Sequence, residues 1–422
     1  FQQSIGFIFN RVGEYEAYAL LKMAKAASNN LPSGVYPFEN NQNSIGMVPI
    51  SLANKDLKWE TTEQWNVGLD LGFFDERIGI NVDWYMKTTR DLLLDASLPY
   101  STGYYSAMKN VGKVRNSGLE FTLNTININR NGFRWSTNFN IAFNKNKVLE
   151  LAENQTSLLT SAYFDQTYNS QPTYIAKKGY SMGMMYGYMY EGTYKYEDFY
   201  KSGDTYVLRP GVPYFSSENN TQPGMPKYKD LNGDGQIDDK DKKAWKDKYR
   251  ETPLGQFGIT LTGGYKGFDI QALFQGSYGR ADMWLDDLNN VSVPSDRYAF
   301  QSFHWNDTWS LDNRNASMPR LVTGSGGSYN RTESTFWAEN MNYVRLKNLQ
   351  IGYSIPTKLL KKISFERARI YLSAENVFTI TPWKGVDPEK SISSWNQQYN
   401  RSDANDLYPL VKTYSIGINV EF

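Results

Sequence analysis

The sequence predicts an all-β protein, a transmembrane antiparallel β-barrel, and three observations support this prediction. Apolar residues alternate with polar or small ones over runs of about ten residues, the length that a tilted membrane-spanning strand needs. The connections between these runs are alternately very short turns and long polar segments. Aromatic residues make up 15% of the chain, although hydrophobic residues together make up only 40%. That composition is typical of a β-rich protein with many turns.

The clearest element is a hairpin near the start of the chain. Val67, Leu69, Leu71 and Phe73 alternate with polar or small residues, and a second alternating run follows at residues 78–87. Because side chains in a strand point alternately to opposite faces, each run would have one apolar and one polar face. The short polar segment 75–77 joins the two runs, which predicts an antiparallel hairpin.

The same alternation recurs along the chain and predicts about 12–14 strands in all. The Asn131-Gly132 pair favours a type I′ hairpin turn, and Lys266-Gly267 marks a second short turn. No linker rich in proline or serine interrupts the pattern, so residues 1–422 are treated as one domain. Long polar segments are expected at about 191–251 and 283–339. The further alternating runs lie at residues 119–124, 135–143, 268–274 and 413–422.

Composition excludes several classes of protein. There are 45 basic and 44 acidic residues, and this balanced charge argues against a nucleic-acid partner, which would require a basic surface. The chain has no cysteine, which excludes a disulfide framework and a thiol nucleophile. Its single histidine, His304, excludes a multi-histidine metal centre and is expected to be structural. The chain also lacks a starting methionine and a signal peptide, which suggests a piece of a longer polypeptide.

The sharpest motif is the acidic loop DLNGDGQIDDKD at residues 230–241. Its spacing of oxygen-bearing residues around a glycine resembles a calcium loop, although Asp replaces the closing Glu and no helix precedes it. The sequence therefore predicts a structural Ca²⁺ site that pins a long loop. The alternative is an acidic surface loop without a metal. The predicted ligands are Asp230, Asn232, Asp234, Gln236 (through its backbone carbonyl) and Asp241.

No motif predicts covalent chemistry, so no catalytic or cofactor-binding residue is assigned. The glycine-rich segment 324–327 lacks the Lys-Ser/Thr of a phosphate loop, and no G-x-S-x-G elbow accompanies His304. The tyrosine- and methionine-rich stretch at 183–190 has three open interpretations. It could belong to an interfacial aromatic belt, pack internally, or stack on a ligand.

Four sequence blocks make the prediction more specific. The blocks are LKWETTEQWNVGLD at 57–70, VGKVRNSGLE at 111–120, YVRLKNLQIGY at 343–353, and NVFTI at 376–380 followed by GVDPE at 385–389. They resemble the C-terminal barrel of the SusC/RagA family of TonB-dependent outer-membrane transporters from Bacteroidota, and the Asp-rich loop also resembles one that is common in that family.

The resemblance implies the C-terminal part of a 22-stranded barrel in the bacterial outer membrane, surrounded by lipid. The plug domain and the remaining strands would not be in this chain. The segments at about 191–251 and 283–339 would then be extracellular loops.

The function implied by the resemblance is TonB-dependent uptake of an oligosaccharide or oligopeptide, without enzymatic activity. The implied partners are a SusD-like surface lipoprotein, TonB, and the plug and remaining barrel of the same transporter. Two alternatives stay open at this point. One is a soluble carbohydrate-binding or glycosidase β-protein, and the other is a TonB-dependent metal-chelate receptor without a lid subunit.

Overall fold

The structure, a computed structural model, describes most of the chain from residue 54 onward and short stretches before it. His304 and residues 324–327 lie outside the described ranges. Among the described residues, no helix is both long enough and apolar enough to span a membrane. The described ranges are 2–10, 21–23, 35–38, 42–45, 47–49, 54–98, 100–102, 106–151, 156–160, 174–215, 217–245, 249–250, 252–283, 306–321, 332–360, 365–384, 387–389 and 410–422.

Nearly all regular structure in these ranges is β-strand. One short helix, α1 (Thr357–Leu360), and four single-turn 3₁₀ segments accompany the strands. The strands are β1 (Gln2–Asn10), β2 (Leu21–Met23), β3 (Val35–Phe38), β4 (Gln42–Ile45), β5 (Met47–Pro49), β6 (Glu60–Phe73), β7 (Ile78–Ser97), β8 (Ser106–Arg130), β9 (Phe133–Glu150), β10 (Ser157–Thr160), β11 (Tyr174–Lys177), β12 (Met184–Gly187), β13 (Tyr190–Thr193), β14 (Phe199–Ser202), β15 (Thr205–Leu208), β16 (Tyr214–Phe215), β17 (Pro226–Tyr228), β18 (Gln236–Ile237), β19 (Lys243–Ala244), β20 (Gly255–Tyr265), β21 (Phe268–Tyr278), β22 (Ala281–Met283), β23 (Ala338–Asn340), β24 (Tyr343–Ser354), β25 (Arg367–Ile380) and β26 (Thr413–Glu421).

Ten long strands form one antiparallel sheet in the order β1-β6-β7-β8-β9-β20-β21-β24-β25-β26. Each strand pairs with the next long strand along the chain, which confirms the up-and-down antiparallel arrangement. Within the described residues this sheet has fewer strands than the 12–14 that the alternation predicts. The remaining strands are short and lie outside the sheet.

The predicted tight turns are confirmed. Phe73 pairs with Ile78 at the end of the first hairpin. Asn131 and Gly132 both have positive φ, at 54° and 78°, as a type I′ turn requires. Lys266 and Gly267 repeat this geometry with φ of 47° and 91°. In these two hairpins, the turn conformation matches the twist of the flanking strands and so holds their register.

The last strand differs slightly from the prediction. Alternation placed Phe422 inside it, but β26 ends at Glu421. The ring of Phe422 instead packs edge-on against Phe365, with the ring centroids 5.1 Å apart. Phe365 lies in the connection between β24 and β25.

The two faces of the sheet differ in polarity, as predicted. One face presents large apolar side chains, such as Trp65 and Leu69 on β6 and Ile416 and Ile418 on β26, which are all exposed. On the opposite face, polar side chains pair across strands, for example Asn146, which donates to Asn116 at 2.8 Å. An apolar outside and a polar inside are the pattern of a strand wall that separates lipid from water.

Aromatic rings on the polar face cover glycines on the neighbouring strand. Tyr85 pairs with Gly118, and Tyr371 pairs with Gly417. A Cβ atom built on Gly118 would lie 2.5 Å from the Tyr85 ring, and one on Gly417 would lie 2.3 Å from the Tyr371 ring. Because only glycine leaves this space, each ring can lie flat across the neighbouring strand and fill a gap in the wall.

The long polar segments differ most from expectation. The connections run over residues 151–254 and 279–342, longer than the predicted 191–251 and 283–339. Their described residues contain short strands and three buried apolar clusters, and so do not form irregular loops. Strands of two to four residues are too short for alternation to reveal, which explains why the sequence did not predict them. Together the described parts of these connections form a folded cap, the name used below for the described residues within 174–245 and 306–341.

Candidate functional site

The folded cap lies at one end of the strand sheet. Tight turns close the other end, at residues 74–77, 131–132 and 266–267. Since neighbouring strands run antiparallel, the connections 151–254 and 279–342 both leave from the end opposite these turns. The chemistry available to a ligand therefore differs between the two ends.

Backbone hydrogen bonds join the two long connections within the cap. The Tyr188 amide donates to the Glu333 carbonyl at 3.0 Å, and the Thr335 amide donates back to the Tyr188 carbonyl at 3.0 Å. The Tyr190 amide donates to the Thr335 hydroxyl oxygen at 3.0 Å. Gly187 permits this close approach, because a Cβ there would lie 2.6 Å from the Glu333 carbonyl oxygen.

The tyrosine- and methionine-rich stretch forms the interior of the cap, which decides among its three interpretations in favour of packing. Met185 and Tyr188 are buried, and the indole nitrogen of Trp245 donates to the Gly187 carbonyl at 3.0 Å. Burial raises the pKa of Tyr190 to about 12. Burial, together with the nearby Asp239 and Glu333 carboxylates, raises the pKa of Tyr188 further still. These phenols stay neutral and serve as packing groups.

The acidic loop 230–241 is held together by its own side chains. Asp230 accepts hydrogen bonds from the amides of Gly233 at 2.6 Å and Gly235 at 2.9 Å. Asp241 is fully buried and accepts from the amides of Leu231 at 2.7 Å and Asp238 at 2.8 Å. Asp241 therefore ties the two ends of the loop together, as a closing carboxylate would.

The other predicted ligands lie in the same turn. The Asn232 amide donates to Asp234 at 2.8 Å, and the Gln236 backbone amide donates to Asp234 at 2.9 Å. The Gln236 hydrogen bond lowers the pKa of Asp234. Within the described ranges, no three His, Cys, Asp or Glu side chains converge in an arrangement ready for a metal ion. The calcium site stays a prediction.

The acidic loop also anchors itself to the cap through an apolar side chain. Ile237, which directly follows Gln236 in the loop, is buried in a cluster with Tyr188 and Tyr228. The ammonium of Lys242, just beyond the loop, lies 5.1 Å from the centre of the Tyr188 ring. A cation that stiffens the loop would therefore also stiffen the interior of the cap.

A buried ion cluster joins the sheet to the segment that follows β25. Arg345 on β24 donates to Asp387 at 2.7 Å and also pairs with Glu389. Its Nε donates to the Thr379 hydroxyl at 2.8 Å. The Arg345 and Asp387 side chains are each 2% exposed, so the pair is removed from solvent. A buried ion pair of this kind mainly holds the two segments that it joins in a defined position.

Two further residues contact this cluster, Gln275 on β21 and Arg280 in the short connection between β21 and β22. The Arg280 guanidinium donates to the Pro388 carbonyl at 3.0 Å, and Gln275 donates to Glu389 at 3.2 Å. Residues 387–389 are thus fixed to the sheet beside the cap. The sequence showed two blocks of the family resemblance, at 343–353 and 385–389, but did not show that they meet. The available signal for this contact was the opposite charge of Arg345 in the first block and of Asp387 and Glu389 in the second.

A pocket opens on the surface of the cap, with a volume of about 500 Å³. Three separate segments contribute its walls, which combine aromatic, aliphatic and polar side chains. The sequence named none of these residues, because they lie far apart along the chain. The lining residues are Tyr196, Tyr206, Gln222, Pro223, Thr308, Trp309, Ser310, Leu311, Arg320 and Leu321.

This strand wall and its folded cap define an outer-membrane barrel protein. The chain belongs to the TonB dependent receptor-like, beta-barrel family, whose sequence model matches residues 25–236. The prediction of family, fold and outer-membrane location is thereby confirmed. The alternative of a soluble β-protein is excluded.

Curated relatives agree with this assignment. The chain is 33% identical over 397 residues to TonB-dependent receptor P3 of Formosa agariphila, covering 92% of this chain and 37% of the relative. It is 28% identical over 374 residues to TonB-dependent receptor SusC of Bacteroides thetaiotaomicron, covering 87% of this chain and 32% of the relative. The chain thus spans between about a third and two fifths of the curated relatives it matches.

Solved structures share the fold over the whole chain. The RagAB peptide transporter superposes with a TM-score of 0.72 at 24% identity, covering 100% of this chain and 40% of that one. The RagAB peptide importer in its "open-open" state gives a TM-score of 0.73 at 23% identity, with the same coverage. At these identities, the similarity to the solved structures shows a shared fold alone.

Proposed function

We propose that this chain is the C-terminal part, residues 1–422, of a SusC-like importer. The complete protein would take up an oligosaccharide or oligopeptide across the outer membrane by TonB-dependent transport, without covalent chemistry. The barrel would have 22 strands, and the plug and remaining strands would come from the rest of the transporter. The cap, with its loops at about 191–251 and 283–339, would face the cell exterior.

The observation that carries this proposal is the folded cap, interlocked by hydrogen bonds and joined to the sheet. A simple pore does not need buried clusters in its loops, since polar loops on a barrel rim are already stable in water. A folded surface beside the barrel mouth suits the docking of a second protein and a substrate between them. The similarity to proteins named SusC and RagAB supports the same arrangement.

The proposed partners are a SusD-like surface lipoprotein at the cap and TonB at the opposite end. The lipoprotein would cover the barrel mouth and enclose the substrate. TonB would supply the energy that displaces the plug. Outer-membrane lipid would contact the exposed apolar face that includes Trp65 and Ile416.

Purification of the complete transporter from its own outer membrane tests the partner. We expect a lipoprotein to copurify in detergent at about equal stoichiometry. If the transporter is isolated alone, the lid-less metal-chelate receptor becomes the better assignment. Uptake into cells that lack TonB is expected to stop, and uptake that continues unchanged would contradict the transport mechanism.

We also propose that the acidic loop binds structural Ca²⁺ through Asp230, Asn232, Asp234, Asp241 and the Gln236 carbonyl. The support is the oxygen-rich spacing and the gathering of these residues in one turn closed by Asp241. Elemental analysis of the complete protein after calcium dialysis should find the metal, and Asp234→Asn should reduce it. Asp204→Asn, in another cap turn, is the control. Absence of calcium from the wild-type protein would refute the site.

A further inference from the structure

The pocket on the cap is built from side chains of distant segments. Tyr196 and Tyr206 come from the hairpin of β14 and β15 and the turn before it, and Gln222 comes from the connection that follows. Trp309 and Arg320 come from the other long connection. The pocket volume of about 500 Å³ lies within the range that holds small organic ligands.

Aromatic rings form one wall of this pocket. The ring centres of Tyr196 and Tyr206 are 5.0 Å apart, and those of Tyr196 and Trp309 are 5.9 Å apart. Tyr206 is 41% exposed, although it sits within a cluster of rings. The Arg314 guanidinium lies 4.7 Å from the Tyr196 ring centre and covers that ring. The wall thus offers the Tyr206 and Trp309 rings for stacking.

The backbone holds the Trp309 ring in place. Gly224 has a φ of +83°, and a Cβ built on it would lie 2.4 Å from the Trp309 ring. The Arg320 amide donates to the Gly224 carbonyl at 2.9 Å, and the Trp309 amide donates to the Met318 carbonyl at 3.0 Å. Because these contacts fix the indole before any ligand arrives, binding would cost little ordering of this wall.

The polar side chains of the lining carry amide, hydroxyl and guanidinium groups. The Arg320 guanidinium donates to the Gln222 side chain at 2.8 Å, which orients the amide. Ser310 adds a hydroxyl group to the lining. Among the described lining residues none is acidic. The pocket therefore suits a neutral or anionic ligand and disfavours a cation.

We propose that this pocket is a saccharide-binding subsite that holds one or two sugar rings. A sugar ring has a C–H face that packs on an aromatic ring and an edge of hydroxyl groups that need donors and acceptors. The Tyr206 and Trp309 rings meet the first need, and Gln222, Ser310 and Arg320 meet the second. This inference rests on the proposed function and names oligosaccharide, rather than oligopeptide, as the substrate class.

Binding of the purified complete transporter, with any copurifying partner, to an array of neutral and anionic oligosaccharides tests the proposal. We expect capture of at least one saccharide. Tyr206→Ala should weaken that capture about tenfold, because a stacking ring is lost. Tyr206→Phe should retain it, since the ring remains.

Tyr200→Ala is the matched control. Tyr200 is 46% exposed on the same hairpin, but its cross-strand partner is Val207, so it lies on the opposite face from Tyr206. Equal losses in Tyr200→Ala and Tyr206→Ala would overturn the proposal, as would an array with no bound saccharide. Binding of the transporter to a pool of peptides is measured in parallel. Capture of peptides alone, combined with intact TonB-dependent uptake, would overturn the saccharide site and leave the transport function standing.

Discussion

Arg369 on β25 reaches across the glycine of a neighbouring strand to pair with Asp269 on β21. Its Nε donates to one carboxylate oxygen at 3.0 Å, and a second guanidinium nitrogen binds the other oxygen. Gly352 of β24, which pairs with Asp269, lies beneath the guanidinium. A Cβ on Gly352 would lie 2.4 Å from the Arg369 guanidinium. The ion pair therefore links three strands only because the middle one carries no side chain at that position.

Gly352→Ala should destabilise the barrel, because the added methyl group displaces the Arg369 guanidinium. We expect a loss of about 1–3 kcal/mol in the free energy of unfolding, the usual cost of overpacking. Urea unfolding of the complete protein in detergent or lipid measures it. Gly79→Ala is the control, because its Cβ would lie 3.8 Å from the nearest heavy atom, on Asn124. Equal effects of the two substitutions would contradict the role of Gly352.

Arg345→Met should release residues 387–389 from the sheet, because it leaves the Asp387 carboxylate buried without its cation. We expect a loss of about 3–5 kcal/mol, the usual cost of removing one partner from a buried pair. Urea unfolding would measure the loss of stability. Limited proteolysis would detect the release of residues 387–389 as faster cleavage beyond residue 381. Among the described residues, the Asp387 Oδ2 atom is already buried without a hydrogen-bond partner, which makes the site intolerant of further loss.

The exposed Arg367 provides the control for the buried Arg345. Arg367 and Glu421 form an exposed pair at 4.0 Å, with side chains 77% and 62% exposed. Arg367→Met is therefore expected to cost less than about 1 kcal/mol. If both arginine variants lost the same small amount, the Arg345 cluster would not be an anchor.

Alkaline pH should loosen the cap before the strand sheet. The pKa of Tyr190 is raised by burial from its ordinary value of 10.0 to about 12. The folded cap therefore holds the phenol proton more tightly than the unfolded chain does. This contribution to stability is fully present below pH 10 and is lost as the pH rises through about 12. Proteolysis of the cap at stepped pH, with circular dichroism of the strands, would detect the order of events.

Tyr190→Phe separates this effect from general alkaline damage. The variant cannot ionise at that position, so its cap should resist a higher pH than the wild-type cap. Tyr200→Phe, at an exposed position, should leave the transition unchanged. Identical transitions in wild type and Tyr190→Phe would show that Tyr190 is not the responsible group.

Gly187→Ala should separate the two connections that form the cap. The new Cβ would lie 2.6 Å from the Glu333 carbonyl oxygen, so the backbone pairing between Tyr188 and Glu333 would shift. We expect faster tryptic cleavage within residues 174–245 and an unchanged strand signal. Gly72→Ala places its methyl group 3.8 Å from Glu76, an ordinary contact, and should leave the cleavage pattern as it is.

The sequence alone determined the long strands of the sheet, their two faces and their tight turns. Alternation at period two is a local property, so the apolar set of β6 and the polar pairs of the inner face could be assigned without knowing their neighbours. The turn residues Asn131-Gly132 likewise require only their own conformation. Family membership followed from blocks of adjacent residues for the same reason.

Only the tertiary structure decided the cap, the Arg345 cluster and the pocket. Tyr190 and Thr335, which join the two connections, lie 145 residues apart, and Arg345 and Asp387 lie 42 apart. Trp309 meets Tyr196 from the other long connection. No local pattern encodes such pairs, because their energy comes from burial and hydrogen bonds that exist only after distant segments have packed together.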